Sequence, residues 1–441
     1  VGGLPRRAAF IRQEKAEDIP VLILDTGNFI SDRPLAEPSL EPALVKADLI
    51  LRAMDAMGYA VMAVGEMDLF LGPDRLRTLS KTTRVTFLSA NVTDTDGKTV
   101  FEPHRILQAG GVKVGVIGLT APPGDQTAFK NRAGGTSVKD PVPAAEAAVK
   151  SIRDKCDLLV VLSNIGYAKD LELAHTVAGI DVIISGGTKR FMKNPVIKER
   201  TLITSGYYEG RAIGDLAIYL AGDVKGWVSR YEMDLLNTQI KAAEAKTGTP
   251  AGKRHYESLI EKRDSAARMT LYEPDLISLD PTIPDDPGIV EMINDYRKEL
   301  LNSSVSSPGQ AAPRGERVGY TGPKACAACH EARYRFWLTT DHAGAFDALA
   351  PKNAGADPDC MGCHVTGYRR RTGYWPKAPR IDLRGVQCEA CHGVGSLHVG
   401  SPDTYSLLHL PLAPLCMDCH TEDQDADFDY FRDKGKVCGE L

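Results

Sequence analysis

The last third of the chain repeats one pattern four times: Cys326-Ala-Ala-Cys329-His330, Cys360-Met-Gly-Cys363-His364, Cys388-Glu-Ala-Cys391-His392 and Cys416-Met-Asp-Cys419-His420. Two thiols three residues apart can add across the two vinyl groups of one haem. The next residue then lies under the macrocycle, where its imidazole takes the iron as proximal ligand. One copy of the pattern can arise by chance, but four in close succession cannot. Zinc knuckles would use the Cys-x-x-Cys pairs and leave the histidine after every pair unexplained. A disulfide framework fits still less well, because pairs at this spacing rarely brace a fold. The expectation is four covalently bound haem c groups. Covalent haem attachment takes place outside the cytoplasm, which implies a periplasmic or extracellular protein.

The histidine count goes further. Of ten histidines, four are the proximal ligands, three more (His342, His398 and His409) lie in the haem region, and His104, His175 and His255 lie upstream. Three distal imidazoles for four irons predict three bis-histidine haems, suited to electron transfer, and one haem with an open sixth position that can bind a small molecule. His398 follows His392 by six residues, so it is expected to serve a different haem from the one His392 holds. Eight of the ten cysteines are used by the haem motifs. The remaining two, Cys156 and Cys438, form either one disulfide or two separate thiols, with Cys156 packed as a small apolar residue.

Residues 1–235 have a different character. Short β-rich apolar runs at Val21–Leu24, Ala60–Val64, Val112–Gly118, Leu158–Ser163, Val182–Ser185, Thr201–Thr204 and Leu216–Leu220 alternate with helical stretches at Pro42–Met57, Asp74–Leu79 and Pro143–Lys155. That alternation predicts a layered α/β domain. Residues 236–301 read as a charged helical arm or connector ending in a helix over Asp285–Leu301. Residues 302–318, rich in Ser, Pro and Gly, read as a linker. Residues 319–441 form the haem domain, mostly α-helical with little regular secondary structure.

The net charge of −5 argues against a nucleic-acid partner, which usually requires a basic face. No apolar run approaches the roughly 20 residues that span a bilayer. The chain begins at Val1 without a methionine or an apolar leader, so either a signal peptide has been removed or upstream residues precede it. The segment Glu422–Asp433 carries several acids, which either form a solvated tail or steer a basic partner.

Two resemblances emerge from these segments. YTGPKACAACHEARYRFWLTTDHAGAF, the Thr-Gly after His364, and GVQCEACHGVGSLH resemble the cytochrome c-554 family over most of residues 319–441, including Trp337 and His342. That resemblance implies four closely stacked haems, three of them bis-histidine and the second five-coordinate, here the one on His364. Upstream, VLILDTGNFI, AMGYAVMAVGEMDLFLG, FLSANVTD, GGVKVGVIGLT, LLVVLSNIGYAKD and IDVIISGGTKR follow the order of the 5′-nucleotidase branch of metallophosphoesterases over residues 1–235. This implies a four-layer αββα fold with a dimetal centre at the strand ends.

The metal ligands of that branch do not carry over. Its D-x-H motif would precede Val1. Its bridging aspartate is Asn28, its metal-binding asparagine is Glu66 and its catalytic histidine is Met67. The histidine of its SHxG motif is Asn164, and those of its GHxH motif are Gly187 and Lys189. Two metals that clamp a phosphate need a bridging carboxylate and imidazole ligands. Asp25, Asn28, Glu66, Asp68 and Asn164 could still form an oxygen-only pocket for Ca²⁺ or Mg²⁺. The alternative is Lys189 pairing with Glu66 or Asp68 in place of the metals. The function expected is electron transfer between redox protein partners, with hydrolysis excluded by the lost ligands and the phosphoesterase-like domain serving as scaffold or docking surface in a larger assembly. The alternatives are a redox enzyme acting on a small nitrogen compound at the open haem, and an active phosphohydrolase.

Overall fold

A computed structural model describes residues 3–17, 19–30, 40–124, 129, 133–187, 190–207, 210–220, 226–302, 318–370, 372–376, 380–408, 411–421 and 424–438. The chain divides into two compact units, residues 2–289 and 290–441.

In the first unit, the apolar runs pair into a six-stranded sheet in the order β10-β11-β9-β8-β6-β5. These strands are β5 (His104–Ala109), β6 (Val112–Leu119), β8 (Leu158–Ser163), β9 (Val182–Ser185), β10 (Val196–Lys198) and β11 (Thr201–Thr204). The central strands run parallel and the two edge strands antiparallel. Side chains alternate between the faces, as the period of two requires. On one face Ile117, Leu119, Leu159, Val161, Ile183 and Ile203 pack against the helices Pro141–Ile152 and Tyr167–Thr176. On the other, Val116, Leu158, Val160, Val182 and Leu202 meet a second β layer. That layer holds the parallel sheet β1 (Leu24–Asp25), β2 (Val61–Ala63) and β3 (Thr86–Leu88), together with the sheet of β12 (Ala212–Tyr219), β14 (Thr270–Ser278) and β13 (Trp227–Ser229), in that order. The helix Leu40–Met57 closes the outside with Leu51 and Met54 buried. The result is the α/β/β/α layering predicted. Gly118 lets the two β layers approach, since a Cβ there would meet the backbone of Leu88.

The segment read as a connector does not stand apart. Helices Arg230–Glu244 and Pro250–Ala266 form a hairpin around Ile240, Ala243 and Leu259. A strand the sequence reading lacked, β14 (Thr270–Ser278), follows and pairs antiparallel with β12 (Ala212–Tyr219) and parallel with β13 (Trp227–Ser229). Eight-residue pairing with β12 therefore binds this segment to the first unit. The expected linker lies almost wholly outside the described residues.

The second unit is built of short helices and turns. Its small apolar core holds Leu349, Met361, Val365, Tyr374 and Leu383. The helix Pro287–Asn302 contributes to this unit through Arg297, which donates to Lys352 O (2.7 Å) and faces Asp357 (3.4 Å). Among the described residues no helix is long and apolar enough to cross a membrane.

Candidate haem site and strand-end pocket

The second and third motifs lie within the short helices Pro358–His364 and Cys388–His392, and the first and fourth begin in the last turn of Pro323–Ala327 and Ala413–Met417. A turn of helix carries two cysteines at i and i+3 to one side. Motifs distant in sequence are brought together in pairs. The thiols of Cys326 and Cys388 face one another, as do those of Cys363 and Cys419, and the Cys419 partner lowers the Cys363 thiol. Burial, by contrast, pushes the Cys360 thiol up to about 11. Glu389, inside the third motif and only 3% exposed, accepts from the backbone N–H groups of Thr321 (2.9 Å), Gly322 (2.8 Å) and Gly395 (2.7 Å). That buried carboxylate ties the approach to the first motif onto the third.

The imidazoles show the same pairing. The rings of His330 and His398 are near-parallel, with centroids 6.3 Å apart and planes 18° apart, and the His342 ring lies 5.8 Å from that of His420. With metal–imidazole bonds of about 2 Å, two rings on opposite sides of one iron have centroids roughly 6 Å apart. Both pairs therefore fit an axial pair on a haem iron. His409 lies outside the described residues. Among the described residues, neither His364 nor His392 has an imidazole paired with it in this way.

The second nitrogen of each ring points to the same use. Nδ1 of His364 faces Ala345 O (2.5 Å), that of His392 faces Leu408 O (2.5 Å), and that of His398 faces Tyr405 O (2.6 Å). Nδ1 of His420 faces Asp425 Oδ2 (2.7 Å). Carbonyl and carboxylate oxygens only accept, so Nδ1 donates in each case. Nε2 is then left with its lone pair free for a metal. These partners were not found from sequence, because a carbonyl from any residue type can supply the bond.

The strand-end pocket of the first unit has the opposite character: the side-chain oxygens of Asp68, Asn28 and Asn164 are already occupied. Gly65 follows β2, and Asp68 begins a 3₁₀ turn, Asp68–Leu71. Asp68 Oδ2 accepts from Asn28 N (2.8 Å) and Gly65 N (2.9 Å), and Oδ1 accepts from Phe29 N (3.0 Å). Asn28 Oδ1 accepts from Met67 N (2.9 Å). Asn164 Oδ1 accepts from Glu66 N and Asn28 Nδ2, and its Nδ2 donates to Thr26 O (3.0 Å). Asn28 holds a left-handed backbone at φ 58°, which asparagine tolerates. A Cβ on Gly65 would collide with its side chain.

A ligand oxygen turns its lone pairs to a cation, whereas these turn to N–H donors. Among the described residues no group of three His, Cys, Asp or Glu side chains is placed to hold a metal. Burial pushes Asp68 up to about 7 against its backbone donors, and it raises Glu66 as well. Asp25, which accepts from Gly27 N (2.8 Å), is also raised by burial, with Arg7 acting against the rise. Arg7, on the first helix and 3.4 Å from Tyr59 Oη, is the cation that sequence reading overlooked here. Gly187 has φ 64° and packs on the Asn164 backbone. Lys189 lies outside the described residues.

Cys156 sits half-buried against the core, 3.6 Å from Arg153 O, and its thiol is raised by burial. The side chain of Cys438 lies outside the described residues. Upstream, His104 contacts Ser151 Oγ (2.8 Å) and His175 contacts Glu199 (3.1 Å).

Comparison with known proteins agrees with this division. Residues 325–393 match the family described as cytochrome c554 and c-prime. Cytochrome c-554 of Nitrosomonas europaea is 37% identical over 91 residues, which cover 17% of this chain and 39% of that protein. Bovine 5′-nucleotidase is 25% identical over 327 residues, covering 70% of this chain and 50% of that protein. Among solved structures, the sulfate thiohydrolase SoxB of Thermus thermophilus superposes with a TM-score of 0.51 at 20% identity, covering 73% of this chain and 49% of that one. The chain thus spans half or less of the length of these relatives. It carries a C-terminal cytochrome c554 domain, with covalently bound haem c, joined to an N-terminal domain of 5′-nucleotidase-like fold.

Proposed function

We propose that this chain is a tetrahaem c-type cytochrome that transfers electrons between redox protein partners outside the cytoplasm. The observation that carries this reading is the set of imidazoles in the second unit: two pairs at axial spacing, with Nδ1 engaged and Nε2 free on four rings. Bound haem c supplies a one-electron iron couple whose two states keep the same ligands when both axial positions are imidazole. The chain's own residues set the rest. Cys326, Cys329, Cys360, Cys363, Cys388, Cys391, Cys416 and Cys419 hold the four groups, and His330, His364, His392 and His420 bind from the proximal side. His398 completes the first site and His342 the fourth, which leaves His409 as the remaining distal imidazole for the second or the third.

The first unit acts as a scaffold or docking surface, and this chain is a subunit of a larger redox assembly. Its strand-end pocket supports loss of hydrolysis, because the oxygens that would take metals accept from backbone and amide N–H groups instead. A pyridine haemochrome assay and intact mass of the mature protein are expected to give four haems per chain. A smaller count overturns the tetrahaem reading.

A second reading rests on His364, which has no paired imidazole among the described residues. A five-coordinate iron there would bind a small nitrogen compound and turn the chain into a redox enzyme. Electron paramagnetic resonance decides between the two: a high-spin signal that changes with nitric oxide supports the enzyme reading, and four low-spin haems exclude it.

A further inference from the structure

We infer that Asp425 is a positioning residue that lowers the reduction potential of the haem held by His420. The inference rests on the tetrahaem reading above. Of the four imidazoles whose Nδ1 partner is described, three donate to main-chain carbonyls, and only His420 donates to a carboxylate, Asp425 Oδ2 at 2.7 Å. A neutral carbonyl orients an imidazole. A carboxylate also pulls on the Nδ1 proton, which pushes electron density onto Nε2. A more electron-rich ligand stabilises ferric over ferrous iron.

The geometry holds the pair in place. Phe428 stacks on the His420 ring with centroids 4.5 Å apart and planes 18° apart, which limits rotation of the imidazole away from Asp425. Asp425 N bonds Thr421 O (2.8 Å), so the turn that presents the carboxylate is anchored one residue after His420. The acid-rich segment after the fourth motif therefore contains one acid with a defined partner, and charge on the segment as a whole is a separate matter. Asp427, two residues on, is exposed. Reduction at this site is a single-electron step in which no bond forms or breaks and the proton stays on Nδ1.

The test is a spectroelectrochemical titration of the holoprotein, with chemical mediators as electron donors and acceptors, comparing the native chain with Asp425→Asn and Asp427→Asn. Asparagine keeps an acceptor oxygen at the same place and removes the charge. With Asp425→Asn, one of the resolved midpoints is expected to rise. At a fixed potential the ferric-to-ferrous ratio of that haem falls about tenfold, equivalent to about 59 mV for a one-electron couple. The other midpoints stay, and Asp427→Asn moves none of them. Equal behaviour of the two variants, or four unchanged midpoints, overturns the inference. Haem content is measured first: fewer than four haems in the native chain counts against the tetrahaem reading, separately from Asp425. Should Asp425→Asn not assemble, the native protein still decides. Its low-spin resonance spectrum is expected to contain one haem with a stronger axial ligand field than the others, and identical low-spin signals overturn the inference.

Discussion

Asp68 offers the most direct measurement of what the former metal pocket has become. Its carboxylate is fully buried, accepts from three backbone N–H groups, and titrates at about 7 instead of the ordinary 3.8 because burial outweighs those donors. The folded state therefore binds this proton more tightly than the unfolded state. The associated stability is complete below the unfolded pKa and is lost as pH rises through the folded one. Each unit of difference is worth about 1.4 kcal/mol, so between pH 5 and pH 7 the contribution of Asp68 to stability falls by about 2 kcal/mol. Asp68→Asn removes the titration and keeps one acceptor oxygen. Titrating groups outside this pocket contribute equally to both proteins and cancel in their difference. The advantage of the native protein over the variant should therefore shrink by about 2 kcal/mol across this range. Native-state hydrogen exchange of the β8 amides, compared at matched pH, reads the opening free energy of this unit alone. A difference independent of pH would refute the reasoning, because the three donors would then outweigh burial and leave Asp68 an ordinary carboxylate.

Three further outcomes are expected. His398→Ala should convert one low-spin haem to high-spin, read by electron paramagnetic resonance, while the haem count stays the same; an unchanged spectrum would remove His398 from the axial set. Equilibration with Mn²⁺ or Zn²⁺ followed by metal analysis should leave the first unit without stoichiometric metal, and a nucleoside monophosphate should release no phosphate; bound metal with turnover would restore the hydrolase reading. Glu389→Gln places an amide N–H₂ among three backbone donors and should destabilise the haem unit by about 1–3 kcal/mol, seen as a lower midpoint when unfolding is followed at the Soret band.

The parts of this molecule that were legible in the sequence are those in which side-chain chemistry alone decides. Strands β8 and β9 are largely buried on both faces and read as apolar runs ending in one serine each. β14 does not: it alternates, and it carries Pro274, which usually argues against a strand. The structure accommodates Pro274 because pairing with β13 has ended at Tyr272, leaving β14 paired only to β12 at that point. The proximal motifs were legible for the same reason as β8. The hydrogen bonds that fill the pocket at Asn28 and Asn164 were not, since they join the two side chains across 136 residues and take backbone N–H groups 39 and 98 residues away. Lost ligands could be counted from the sequence, but what replaced them could not.

The carboxylate of Glu389 also bears on the order in which the second unit can be completed. It reaches back 67 and 68 residues to the amides of Gly322 and Thr321. During synthesis from the N-terminal end, the first Cys-x-x-Cys-His segment emerges with those amides bonded only to water and waits for the third motif to arrive. Closing a loop of that length carries an entropy cost that is repaid only when the acceptor is present. The first attachment site is therefore the earliest to be available and among the last to be locked, so a chain cut short before Glu389 would present a haem-bearing segment that has no means of closing.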